Sequence, residues 1–298
     1  MKYSYVKLEF MNYVKSYAAK DTYTYYQTDL AIFESWFVPL SGSVDTPMEW
    51  FTRKRIIEYV SFLRTRNIKN TSIRTYIRAV RVFFHWCYNE GYVLEDVVLH
   101  LKLPKPDPAP VIPLTMERYA AIETSMGYSP FSLRNLCMFH LMLDCGLRLS
   151  EVVNLTCEAL HPAEDYLAVI DSKNNKSRFL PVPPALFIGL VHYLDDRTSG
   201  SVFLCSDGSP ITKRAVYEVF RRLKKYDPLH NVHPHLLRHT FATSYILGGG
   251  NLESLRVLMG HEDYTVTKNY IHLANQMELI GLDIYRLDPC MFRTFKLY

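Results

Sequence analysis

One short stretch decides how this chain can be divided. Pro104-Lys105-Pro106-Asp107-Pro108-Ala109-Pro110, with Pro113 just beyond, puts five prolines into ten positions. Proline lacks the backbone N–H and fixes its own φ, so such a run continues neither a helix nor a central strand, and it reads as a semi-rigid extended spacer. A length of 298 residues also exceeds the usual size of one domain. The expected organisation is therefore a first domain over residues 1–103, a proline linker over 104–113 and a second domain over 114–298.

Upstream of the prolines the pattern is helical, with helices expected near 4–18, 22–37 and 53–66. Ile73, Ile77, Val80 and Phe84 then fall on one apolar stripe, the spacing of a helix packed on one side. Arg74, Arg78 and Arg81 form a neighbouring stripe, and Thr71 or Ser72 is the expected N-cap. Charge is concentrated here: residues 1–103 hold 14 Lys and Arg against 10 Asp and Glu, whereas residues 104–298 hold 20 against 20. Between Arg53 and Arg81 stand nine basic residues and one acid, Glu58. Such a face suits phosphate, because DNA affinity comes largely from Lys and Arg displacing condensed counterions. Arg53, Arg55, Arg74, Arg78 and Arg81 are the candidate contacts, although a charged helix face is ordinarily just solvated. Lys213, Arg214 and Arg221 belong to a second basic cluster downstream.

Downstream the pattern is mixed. Residues 115–125 and 131–143 read as helices. Residues 166–170 and 178–182 read as strands of a hairpin around the polar turn 171–177. Helices resume over 184–194, 212–225, 235–247, 251–259 and 263–280, with Gly248-Gly249-Gly250 closing the third of these. The fold class is mainly α with a small β-hairpin: a helical N-terminal domain and a mixed α+β second domain.

The chemistry-bearing residues lie in the second domain. They are Arg148 in Gly146-Leu147-Arg148-Leu149-Ser150-Glu151, His235 and Arg238 in His235-Leu236-Leu237-Arg238-His239-Thr240, His261 after Gly260, and Tyr270 in Tyr270-Ile271-His272. His235 and Arg238, at i and i+3 of a helix, point into one space. Two guanidiniums, two imidazoles and a phenol are the groups needed to cut a phosphodiester without a metal. Tyrosine is a competent nucleophile once activated, its free pKa near 10 leaving it protonated at neutral pH. Arginine meets two phosphate oxygens at once and stays charged. Lys173 sits in the hairpin turn, where an ammonium can reach a leaving group. Singly, each residue has a plainer reading: Arg148 an ion pair to Glu151, a tyrosine among 22 a packing residue.

Together these motifs closely resemble the tyrosine recombinase (phage integrase) family, especially its Xer-like members. The match runs through residues 135–275, and the N-terminal region follows in outline. It includes the arginine box ending in Ser150-Glu151, the turn Lys173-Asn174-Asn175-Lys176-Ser177-Arg178-Phe179-Leu180-Pro181, the block 235–243, Leu258-Met259-Gly260-His261 and Tyr270-Ile271-His272. Cys145, Ser172 before the lysine, and Ser244 depart from the usual pattern. The resemblance implies that Tyr270 attacks to give a 3′-phosphotyrosine, that Arg148 and Arg238 clamp the phosphate and that Lys173 protonates the 5′ oxygen. It gives His235 general acid/base work and His261 a hydrogen bond to the phosphate, with Glu151 supporting them from behind. It also implies two domains clamped around duplex DNA bearing a specific site, in a homo-tetramer or a hetero-tetramer with a related recombinase, with an accessory directionality factor as a further partner. On that reading the apolar tail, with Ile280, Leu282, Ile284, Tyr285, Leu287, Met291, Phe292 and Phe295, packs on a neighbouring protomer.

Neither cofactor nor metal is expected. The six cysteines form no C-x-x-C pair. No leader or membrane-length apolar run is read, so the expected location is cytoplasmic, with no membrane partner. The rivals are a type IB topoisomerase, which relaxes supercoils with a similar site, and a non-catalytic DNA-binding regulator.

Overall fold

In the computed structural model, residues 1–107, 111–127, 131–171 and 176–288 are described. Four helices build the N-terminal unit, Met1–Pro110: α1 (Tyr3–Tyr17), α2 (Lys20–Ser41), α3 (Arg53–Thr65) and α4 (Asn70–Asn89). The stripe of Ile73, Ile77, Val80 and Phe84 is buried on α4, which packs against the other three. The interior is mostly rings: Tyr3, Phe10, Phe33, Phe37, Phe51, Tyr59, Phe83 and Phe84 are all 0–1% exposed. Their pairs, such as Phe33 on Tyr59 at 4.9 Å and 84°, take the edge-to-face geometry that favours aromatic quadrupoles.

The cap of α4 differs from the expectation. The helix starts at Asn70 rather than after Thr71 or Ser72, and Asp107 caps it, accepting from the Asn70 backbone N–H and side-chain amide at 2.7 Å each. Arg74, one turn on, donates to the Pro104 carbonyl. Carboxylates favour helix N-termini wherever they come from in the sequence, so the start of the proline run is tied to this unit. At its far end, Leu114 N–H donates to Thr240 Oγ1 inside the second unit.

The second unit, Val111–Tyr298, contains α5 (Met116–Met126), α6 (Ser132–Leu143), α7 (Leu149–Val153), α8 (Pro184–Leu194), α9 (Lys213–Leu223), α10 (Pro234–Leu247), α11 (Leu252–Met259) and α12 (Tyr264–Leu279). Its sheet is antiparallel in the order β1 (Leu160–His161), β2 (Tyr166–Asp171), β3 (Lys176–Pro181). Helix α10 is central, packing against α6, α11 and α12. The hairpin turn is shorter than residues 171–177, because Asp171 pairs with Lys176 and Ile170 with Ser177. Lys173 falls in 172–175, outside the described residues. Strand parity sends Arg178 and Leu180 inward and leaves Phe179 60% exposed.

Residues 284–287 of the tail also differ from the expectation. Ile284, Tyr285 and Leu287 are buried in their own unit rather than left for a neighbour. Backbone bonds hold them there: Ile284 bridges Thr115, Met116 N–H donates to Asp283, and Tyr285 N–H donates to Leu114. The Tyr285 hydroxyl donates to Asp144 at 2.8 Å, and Ser244 donates to the Tyr285 carbonyl. A strand-like segment beside α5 and α10 buries its apolar side chains and satisfies its amides at once, which a free tail cannot do. Ile280 is 64% exposed. Met291, Phe292 and Phe295 lie outside the described residues.

Candidate active site

The site is assembled at chain turns that only glycine permits. Gly146 has φ +67°, and a Cβ there would lie 2.5 Å from the Phe241 ring. This turn aims its carbonyl at Arg238 and delivers Arg148 to the N-cap of α7. Gly260, at φ +59°, closes α11; a Cβ on it would press on the Arg178 and Arg148 guanidiniums at 3.1 and 3.4 Å. Both glycines let backbone carbonyls approach guanidiniums.

Glu151 is the anionic centre. Its carboxylate accepts two bonds from Arg178, at 3.0 and 2.8 Å, one from Arg148 Nη1 at 2.9 Å and one from the Arg148 backbone N–H at 2.7 Å. Burial works to raise its pKa, but the hydrogen bonds and charge of Arg178, helped by Arg148 and Arg238, hold it below the ordinary carboxylate range. Arg148 completes its fixation by donating from Nη2 to the Gly260 carbonyl at 2.8 Å. The simple ion pair read for Arg148 is thus present, within a larger network.

Arg238 is 6% exposed and donates to the carbonyls of Gly146 and Met259. Burial first, then the Arg148 charge, pulls its pKa down to about 9, which leaves it cationic at neutral pH. Its Nη2 also lies 3.3 Å from His261 Nε2. Burial and the charges of Arg238, Arg148 and Arg178 push the His261 imidazole down to about 4. His261 is then neutral, accepting at Nε2 and donating from Nδ1 to Thr267 Oγ1 at 3.0 Å.

Tyr270, on α12, is 6% exposed. Burial raises its phenol pKa, while Arg238 and Arg148 pull it back. Its ring lies parallel to that of His261, 6.4 Å away at 10°, and its hydroxyl lies 2.9 Å from His239 Nδ1. His235 sits one turn before His239 on α10, exposed to solvent and with no hydrogen bond of its own among the described residues. The structure therefore brings together Arg148, Glu151, Arg238, His261 and Tyr270, places His235 at the open edge, and leaves Lys173 undescribed.

Two members carried no role in the sequence reading. Arg178 shares a strand face with buried Leu180, and a buried guanidinium demands a carboxylate; the demand was legible, the partner Glu151 was not. His239 follows Arg238 and lies at i+4 from His235, the spacing that marks one helix face. Among the described residues, no group of three or more His, Cys, Asp or Glu side chains could hold a metal ion.

Residues 114–277 match the model of the phage integrase family. The chain belongs to this family, the site-specific tyrosine recombinases. Two relatives resemble this integrase-family chain over most of its length. The tyrosine recombinase XerD of Lacticaseibacillus casei is 31% identical over 288 residues, covering 90% of this chain and 94% of that one. The tyrosine recombinase XerC of Staphylococcus carnosus is 28% identical over 275 residues, covering 90% and 91%. In fold, the chain resembles the Tn1549 transposon integrase solved with a circular intermediate DNA, with a TM-score of 0.75 at 18% identity over 95% of this chain and 100% of that one. A lambda integrase dimer bound to a COC′ core site gives 0.74 at 18% identity, over 91% and 95%.

The basic residues of this recombinase are not equivalent. Arg55 pairs with Glu58 at 2.9 Å and lies over the Trp50 ring at 4.6 Å. Arg53 donates to the Leu99 carbonyl, and Arg74 to Pro104. Arg78 is exposed and Arg81 half-buried on the same α4 face. Lys213, Arg214 and Arg221 are exposed on α9, Arg221 pairing with Glu218 at 2.7 Å. No helix among the described residues is long and apolar enough to cross a membrane.

Proposed function

We propose that the Tyr270 phenol attacks a DNA phosphate held by Arg148 and Arg238. The P–O5′ bond breaks, a 3′-phosphotyrosine forms, the departing 5′ oxygen takes a proton from Lys173, and the phenol proton passes to His235, the general acid/base at the open edge. The observation that carries this reading is the buried phenol beside two fixed guanidiniums, one of them (Arg238) held by two backbone carbonyls and His261 with no carboxylate on it. Cations preorganised where phosphorane charge develops are usually the largest catalytic contribution. Glu151 supports the reading too: bound twice by Arg178, it positions Arg148 without neutralising both arginines. His261, neutral and oriented by Thr267, is suited to meet a phosphate oxygen in its other tautomer, with Nδ1 accepting from the Thr267 hydroxyl and Nε2 donating.

The phosphotyrosine conserves the energy of the broken bond, so a second 5′ hydroxyl can reverse the step on another strand. Repeated in pairs, this gives a Holliday junction and then recombinants. We place four such protomers on DNA, identical or shared with a related recombinase, and assign phosphate contacts in the N-terminal unit first to Arg78 and Arg81. Acting on DNA of the chromosome or a mobile element, the enzyme works in the cytoplasm. Incubation in EDTA with nicked DNA carrying candidate sites tests the reading: an SDS-resistant adduct is expected with the wild type and absent with Tyr270→Phe. Plasmid relaxation by a monomer at random sites, without exchange, would instead favour a topoisomerase.

A further inference from the structure

Two imidazoles neighbour the Tyr270 ring, and they do different things. The His261 ring is parallel to it with centroids 6.4 Å apart, whereas the His239 ring is tilted at 47° with centroids 5.6 Å apart, and its Nδ1 reaches the phenol oxygen at 2.9 Å. His239 is fixed in turn, being half-buried within α10 one residue after Arg238. Burial, then the neighbouring His235, His233 and Arg238, push the His239 imidazole down to about 4. It is neutral at pH 7, so Nδ1 is an acceptor, Nε2 carries the proton and the phenol donates.

Two jobs are open to such a group: taking the phenol proton outright, or orienting the oxygen that attacks. Burial raises the phenol above its ordinary value and pushes the imidazole down to about 4, so both shifts keep the proton on the phenol oxygen in the DNA-free enzyme. Orientation requires no transfer. We infer that His239 is a positioning residue for the nucleophile, its Nδ1 fixing the Tyr270 hydroxyl so that the oxygen presents one lone pair to the phosphate between the arginines. The inference rests on Tyr270 being the nucleophile. It separates His239 from His235, which is exposed and points no hydrogen bond at the phenol.

The test uses two variants of the full chain. His239→Asn keeps a polar atom where Nδ1 stands; His239→Leu keeps bulk without an acceptor. Single-turnover adduct formation on nicked DNA should fall about 10- to 100-fold in the Leu variant, the scale of a misplaced reacting atom, with DNA affinity unchanged. Asn should recover most of that loss. A bridging 5′-sulfur substrate, whose leaving group needs no proton, should leave the Leu defect in place. Leu at the wild-type rate, Asn no better than Leu, or rescue by sulfur would each overturn the inference. A readout independent of cleavage is the ¹⁵N spectrum of labelled histidines in DNA-free protein. The His239 Nδ1 resonance should show an accepted hydrogen bond that disappears in Tyr270→Phe, and an unchanged resonance would overturn the contact. A wild type that forms no adduct defeats the functional reading alone, and the spectrum still decides the hydrogen bond.

Discussion

The N-terminal unit fills its interior with rings, and the second unit buries charges at its functional centre. In the first, polar atoms caught inside are left over: Asp29 Oδ2, Tyr59 Oη and Trp86 Nε1 are buried without a hydrogen-bond partner. In the second, Arg178 and Glu151 pair bidentately, Arg118 and Asp227 do the same, and Arg238 spends its donors on carbonyls. Burying an unpaired charge costs far more than leaving one neutral polar atom unsatisfied. A unit that keeps cations inside must therefore specify their partners, and the specification is the same geometry that preorganises a phosphate site. A unit that presents a basic face needs only a stable platform, which rings supply.

On that contrast, truncating a ring should act on stability and altering a buried cation on rate. The largest expected effect is Phe33→Ala, which removes a fully buried ring touching Tyr59, Phe37 and Phe84. Denaturant unfolding should show a loss of about 3–5 kcal/mol. An unchanged midpoint would break the comparison on the N-terminal side. Next is Arg238→Lys, which keeps the charge but loses the fork; single-turnover adduct formation should fall about 10²–10³-fold with DNA binding largely kept.

Smaller effects sharpen the picture of the basic face. Arg78→Ala should weaken DNA binding and lower the slope of log affinity against log salt by about one, read by fluorescence anisotropy at several salt concentrations. Arg55→Ala, whose charge already faces Glu58, should change that slope less. A pH-dependent effect concerns Asp29, whose carboxyl burial raises from 3.8 to about 6. The folded state then holds the extra proton between those values, so wild-type stability falls as pH rises through that window. Asp29→Asn should be more stable than wild type above pH 6 and lose that advantage below about pH 4, in thermal melts across pH. An advantage that persists at low pH would contradict the burial of that charge.

What was legible in the sequence was what repeats locally. The stripe from Ile73 to Phe84 needs only 3.6-residue periodicity, and the boxes around Arg148, Arg238 and Tyr270 carry their chemistry within a few positions. What was hidden depends on partners far along the chain. Asp107 caps a helix that begins at Asn70, Glu151 receives Arg178 from a hairpin strand, and Tyr285 returns to Asp144. The apolar residues 284–287 show the same limit: their hydrophobicity announced that they must be covered, and only the fold shows that α5, α10 and their own unit cover them. His239 lay between the two, visible by its i+4 spacing from His235 but without meaning until α12 brought Tyr270 beside it.

All of this chemistry turns on Tyr270, held among fixed arginines, supplying the oxygen that bonds to phosphorus. Its most direct test is to digest the adduct trapped on nicked DNA in EDTA and map the modified peptide by mass spectrometry. One modified peptide is expected, with a nucleotide remnant joined through a 3′-phosphate to Tyr270. Attachment to any other residue, a 5′ linkage, or loss of the adduct in EDTA would contradict it.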